Sequence, residues 1–100
     1  VVARMFGGTV DGCSNKGNIE GNEFGQAFGG IVGNASELRF GGVVISQCHN
    51  SGNISGRKDV TGGIVGCIAG VTSSLEECLN EGLVNGVNGS SDNAIGMDLR

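Results

Sequence analysis

The sequence predicts an all-β chain, a parallel β-solenoid (β-helix) of about three coils of 30–35 residues, and three observations predict it. One signature occurs three times: Cys13-x-Asn15-x-Gly17-x-Ile19-x-Gly21, Cys48-x-Asn50-x-Gly52-x-Ile54-x-Gly56 and Cys78-x-Asn80-x-Gly82-x-Val84-x-Gly86. A second signature follows each copy: Phe28-Gly-Gly-Ile-Val-Gly33, Thr61-Gly-Gly-Ile-Val-Gly66 and a degraded Ser91-Asp-Asn-Ala-Ile-Gly96. An apolar residue stands three positions before each cysteine: Val10, Ile45 and Leu75. The cysteines are 35 and then 30 residues apart, so the landmarks are fixed while the connecting loops vary. Landmarks that recur with a period of this size are the mark of stacked repeats.

Composition agrees. The chain of 100 residues is one domain's worth. Its 21 glycines and absence of proline do not follow the strict triplet of collagen. The glycines sit at fixed offsets among Ile, Val and Leu, unlike a disordered chain, and mark recurring turns or close backbone approaches. There is no Tyr or Trp and only four Phe, which predicts a narrow core of Ile, Val, Leu and Cys. Six basic against ten acidic side chains give a net charge of −4. That balance opposes nucleic acid and anionic membranes as partners. No run approaches the ~18 apolar residues of a spanning helix, and the first residues lack a signal-peptide pattern.

Taken in order, residues 1–12 read as the tail of a partial repeat, 13–47 as repeat 1, 48–77 as repeat 2 and 78–100 as an incomplete repeat 3, all in one solenoid domain, 1–100. Ile31-Val32, Val43-Val44-Ile45 and Ile64-Val65, each bounded by glycine, read as strands of three to five residues, three per repeat. Only Ser73–Asn80 imitates a helix start, with Ser73 three positions before Glu76. Its overlap with the repeat signature favours a strand.

One coil cannot bury its own inner face, whereas stacked coils bury a continuous column. Equivalent residues then lie ~4.8 Å apart as parallel neighbours. The inward columns are Val10/Ile45/Leu75, Cys13/Cys48/Cys78, Ile19/Ile54/Val84 and Val32/Val65/Ile95. Asn15, Asn50 and Asn80 form an amide ladder at a turn, each bonding to the next. Parallel crossovers make a right-handed coil the expectation.

The C-x-N-x-G-x-[IV]-x-G pattern with its following GGIVG resembles the GLUG-type repeats of bacterial cell-surface and secreted proteins. The resemblance covers nearly the whole chain and departs at Asp92-Asn93-Ala94, where Gly-Gly-Ile is replaced. It implies a β-helical, extracellular, structural or adhesive module, and it supplies no catalytic residues to carry over.

Cysteine is commonly a small buried hydrophobe, which favours an inward ladder of free thiols. Stacked cysteines also lie within disulfide range, so one bridge is the alternative, with the third column member left over and Cys67 off the column. Zinc is opposed by the absence of C-x-x-C and by parallel stacking, which builds no tetrahedron. His49 follows Cys48 directly and points to the opposite, solvated face, which breaks a Cys–His dyad. A glycan-cleaving β-helix would need clustered carboxylates. Here Asp11 and Glu76 share a repeat position with Ser46 between them, and Glu20, Glu23, Asp59 and Asp92 fall in turns. The turn from Asn88 to Asn93 offers oxygen ligands for a weak calcium site. The GGIVG segments lack the lysine and helix of a phosphate loop. Asn34-Ala-Ser36, Asn53-Ile-Ser55 and Asn88-Gly-Ser90 match the glycosylation sequon as chance matches in an Asn- and Ser-rich chain.

The expectation is a non-catalytic spacer or adhesive stalk at the cell surface or outside the cell. No cofactor or metal is expected, and its partners are flanking repeats or a host or matrix glycan or protein. The alternative is a fibre subunit stacking head to tail, because residues 78–100 and 1–12 together match the length of repeat 1. A heterologous contact of that kind propagates rather than closes. It would suit a stack with no obvious polar cap at either end.

Overall fold

The computed structural model describes residues 2–21, 27–36, 42–70 and 73–100. In chain order its strands are β1 (Val2–Phe6), β2 (Gly8–Asp11), β3 (Ser14–Asn15), β4 (Ile19–Glu20), β5 (Phe28–Gly29), β6 (Val32–Ser36) and β7 (Val43–Ser46). They continue with β8 (His49–Asn50), β9 (Ile54–Ser55), β10 (Thr61–Gly62), β11 (Val65–Ala69), β12 (Ser74–Glu76), β13 (Leu79–Asn80) and β14 (Ile95–Leu99). One 3-10 turn, Lys58–Val60, precedes β10. There is no α-helix among the described residues.

The strands form five sheets, ordered β1-β6-β11-β14, β2-β7-β12, β3-β8-β13, β4-β9 and β5-β10. Every pairing between these strands is parallel. The chain visits the sheets in one fixed order and then returns to the first, so each sheet collects the same landmark from successive passes. The register follows the repeat: Val10↔Ile45↔Leu75, Asn15↔Asn50↔Asn80, Ile19↔Ile54 and Val32↔Val65↔Ile95. The all-β, parallel arrangement is compatible with a β-solenoid.

Two local expectations change. A full pass has five short strands rather than three, because the C-x-N-x-G-x-I-x-G segment is broken by corners into two-residue pieces. One corner lies just before each cysteine, where Gly12, Gln47 and Glu77 have φ of 68°, 50° and 51°. Two of these are not glycine, so composition gave no hint of the bend. The segment 73–80, which imitated a helix start, carries β12 and β13. In-register pairing with β7 and β8 satisfies its backbone across the sheet and overrides the local Ser–Glu signal.

Val10, Ile31, Val32, Ala35, Val43, Ile45, Cys48, Ile64, Val65, Ile68 and Ala94 form the buried core. Ile54 is buried beside the turn. Val2, Met5 and Cys13 on the first pass, and Leu75, Cys78 and Ile95 further along the chain, are partly buried and pack against this core. The glycine of C-x-N-x-G is required by stacking at the turn. Asn50 O accepts N–H bonds from Glu81 (2.8 Å) and Gly82 (3.3 Å), and a Cβ on Gly82 would run into the Gly52 carbonyl.

Candidate functional site

The repeated polar residues meet in the asparagine ladder. Asn15 Nδ2 donates to Asn50 Oδ1 at 2.9 Å, and Asn50 Nδ2 donates to Asn80 Oδ1 at 3.2 Å. The second amide hydrogen stays within the turn, from Asn15 Nδ2 to Gly17 O (2.8 Å) and from Asn50 Nδ2 to Gly52 O (3.0 Å). Asn50 is fully buried, and these bonds are what make an amide tolerable there. The neighbouring glycine pair makes room. A Cβ on Gly30 would meet the Asn50 amide, and one on Gly63 would meet that of Asn80.

The ladder has a fourth member. Asn93 holds the register of Gly63, with Gly63 N donating to Asn93 O at 2.9 Å and Ile64 N to Ala94 O at 2.9 Å. Its side chain turns back: Asn80 Nδ2 and Ser90 N donate to Asn93 Oδ1 (2.8 and 3.0 Å), and Asn93 Nδ2 donates to Asn88 O (3.0 Å). The third glycine pair is therefore replaced at the pass where a side chain helps. The degraded copy Asp92-Asn93-Ala94 thus carries a role that comparison with the intact copies hides.

Just before Asn93 the chain folds back on itself. After Val84, Asn85 and Gly86 take φ of 49° and 81°, and Val84 and Val87 form an antiparallel bridge with reciprocal N–H···O bonds of 2.8 and 3.0 Å. Val87 thus closes the edge that a following strand would use beside Val84. In the first sheet, the register Met5↔Ala35↔Ile68 ends on Asp98. Asp98 is held by Arg100 through Nη2 (2.7 Å) and Nε (2.8 Å), while Arg100 Nη1 donates to Ser73 O at 3.4 Å. The hydrogen bonds from Arg100 keep the Asp98 carboxyl at about 2, below its usual range. This end also keeps β12, β13 and β14 as edge strands and exposes Leu79, Leu83, Val87 and Leu99, so the expectation of no obvious polar cap is not overturned. At the other, β1, β2, β3 and β4 stand as edge strands.

The thiol column lies beside the ladder. Cys48 is buried, Cys13 and Cys78 are half-buried, and all four cysteines are free thiols. Cys48 Sγ donates to Ser46 O at 3.2 Å and Cys78 Sγ to Ile45 O at 3.4 Å. Burial pushes the Cys48 and Cys67 thiols above their ordinary pKa. Cys67 lies off the column, between Asn34 and Met97 in the first sheet.

The remaining candidates are dispersed. His49 is not merely solvated: its Nε2 lies 2.5 Å from Glu81 Oε1, with 41% of its side chain exposed. Asp11, Ser46 and Glu76 are in register, and Ser46 Oγ donates to Asp11 Oδ1 at 2.8 Å. Asp59 pairs with Arg57 at 2.8 Å on the 3-10 turn. Glu20 lies on β4 rather than in a turn, and Glu23 lies outside the described residues. In the Asn88–Asn93 turn Asn93 Nδ2 donates to the Asn88 carbonyl and Asp92 N donates to the Ser90 hydroxyl. A groove of about 540 Å³ opens beside the fold-back, lined by Thr61, Val84, Asn85, Val87, Asp92 and Ile95 among others. One carboxylate in its described lining does not make the acid pair of a glycosidase.

A second ladder was also missed. Asn18 Oδ1 accepts Asn53 N at 3.0 Å, and Asn53 Oδ1 accepts Leu83 N at 3.1 Å. The signal was present, since Asn18 and Asn53 stand five positions after Cys13 and Cys48, with Leu83 ending the series. No family model, curated protein or solved structure matches the chain.

Proposed function

We propose that this chain is a non-catalytic structural repeat module, a length of right-handed parallel β-solenoid with about three coils of 30–35 residues. In this reading it serves as a spacer or adhesive stalk of a bacterial cell-surface or secreted protein. The observation that carries it is the asparagine ladder. The side chains that recur with the repeat are bonded to their own equivalents at 2.9 and 3.2 Å, so the repeated chemistry holds the stack and is not presented to a substrate. The motif's resemblance to GLUG-type repeats supports the surface assignment, and the preference of parallel crossovers for one hand supports the right-handed coil.

The second reading, a subunit stacking head to tail, is favoured by the edge strands β1 to β4. The fold-back that sets Val87 beside Val84 occupies an edge that a following coil would use, whether that coil came from flanking repeats or from a second copy. Light scattering behind size exclusion, followed by negative-stain microscopy, separates the two. A monomer supports the spacer. Filaments with an axial rise of roughly 14 Å per chain, three strand spacings, would replace it with the fibre subunit.

A further inference from the structure

The thiols of Cys13, Cys48 and Cys78 stand in line along the stacking direction. Cys13 O accepts His49 N at 2.9 Å and Cys48 O accepts Leu79 N at 2.8 Å, so the three residues are direct neighbours across parallel passes. The sulfurs sit alike on successive passes, with Cys48 Sγ 3.7 Å from Val10 O and Cys78 Sγ 3.4 Å from Ile45 O, each on the pass before. Sulfurs in line do not converge on a point, and no cluster of three or more Cys, His, Asp or Glu fit for a metal occurs among the described residues. A tetrahedral ion such as zinc is therefore not served.

A two-coordinate ion asks for something else: two sulfurs facing each other across it. With a metal–sulfur bond of about 2.3 Å, taken from zinc thiolates, the span is about 4.6 Å, close to the ~4.8 Å between parallel strands. Thiolate is a soft ligand and selects soft cations such as copper(I). We propose that this column is a linear bis-thiolate site for a soft monovalent cation of the copper(I) class. Cys48 is the shared ligand and Cys78 or Cys13 the second. On binding, two S–H bonds break, two metal–sulfur bonds form and both protons leave to solvent; no electron is transferred. The Cys48 thiol gives up its bond to Ser46 O, and the half-buried Cys13 and Cys78 are the points of entry.

The test uses the full reduced chain, with silver(I) nitrate in chloride-free buffer as the redox-inert probe and copper(I) delivered from a coloured chelator. Native mass spectrometry and calorimetry then read stoichiometry and affinity. One ion per chain is expected, with two protons released. Cys48→Ser weakens binding by at least about 100-fold, since one of two soft ligands is lost. Cys67→Ser leaves affinity within about threefold, as do Cys13→Ser and Cys78→Ser singly, because each keeps one adjacent pair. The Cys13→Ser/Cys78→Ser double variant, which spares the buried residue, loses binding as Cys48→Ser does. Binding unchanged in the double variant, stoichiometry that simply follows the number of thiols, or no binding by the wild-type chain would each overturn the assignment.

Discussion

Replacing Asn50 by aspartate keeps the shape of the side chain and exchanges its NH₂ for an oxygen. Asn50 is fully buried, and its Nδ2 is the donor in two bonds, to Gly52 O at 3.0 Å and Asn80 Oδ1 at 3.2 Å. Both become contacts between acceptors, while the bond accepted from Asn15 Nδ2 at 2.9 Å survives. Two lost hydrogen bonds amount to about 2 kcal/mol, and a buried carboxylate facing two unpaired oxygens brings the total to about 3–5 kcal/mol at pH 7. That is a large share of the ~5–15 kcal/mol that holds a typical domain together.

The carboxylate also gives this variant a pH signature. Burial, with the Asn15 amide as the donor that remains, raises its folded pKa above the unfolded value of about 3.9. The penalty is therefore fully present above the folded pKa, shrinks as pH falls through it, and vanishes below the unfolded pKa. Urea unfolding followed by circular dichroism at pH 7 and at about pH 4.5 reads both quantities. Asn50→Asp should lose several kcal/mol at pH 7 and close much of the gap in acid. A loss below about 1 kcal/mol, or one that acid does not narrow, would refute the ladder as a load shared between passes.

Further outcomes follow from the same geometry. Asn15→Asp, at the half-buried end of the ladder, should cost less than Asn50→Asp in the same urea melts, because water reaches its carboxylate. Gly63→Ala places a Cβ against the Asn80 amide, and overpacking of this kind costs about 1–3 kcal/mol, which thermal melts should show. The Asp98–Arg100 pair has an aspartate side chain 46% exposed, so solvent screening leaves it worth less than about 1 kcal/mol. With Asp98 held at about 2, that contribution is fully present above the ordinary carboxylate range and lost as pH falls toward 2. Asp98→Asn should therefore differ slightly from wild type at pH 7 and not at pH 2.

Much of the stack was legible in the sequence because parallel in-register pairing maps sequence offset directly onto spatial neighbours. Ile45 lies beside Val10 and Leu75, and Asn50 beside Asn15 and Asn80, because each pair keeps its offset from a cysteine. The corners at Gln47 and Glu77 were not legible. Their left-handed φ is imposed by the turn, and neither residue type advertises it. The His49–Glu81 pair was also hidden, since it crosses from one pass to the next between positions that the repeat does not align.

Asn93 makes the clearest case of a misread signal, and it yields the last prediction. Judged by similarity to Gly30 and Gly63, it is a lost glycine. Those glycines are small because the next pass pushes an asparagine amide against them. At Asn93 a side chain fits, and it is bonded to Asn80, Ser90 and Asn88. Asn93→Gly restores the motif while removing these three bonds, for an expected loss of about 1.5–4 kcal/mol. It also uncovers the Asn80 amide at the end of the ladder, where an added coil would seat its own asparagine. Sedimentation velocity should then show concentration-dependent association in the variant and not in the wild-type chain. If the variant stays monomeric and loses no stability, Asn93 is a passenger in the turn rather than a working member of the ladder.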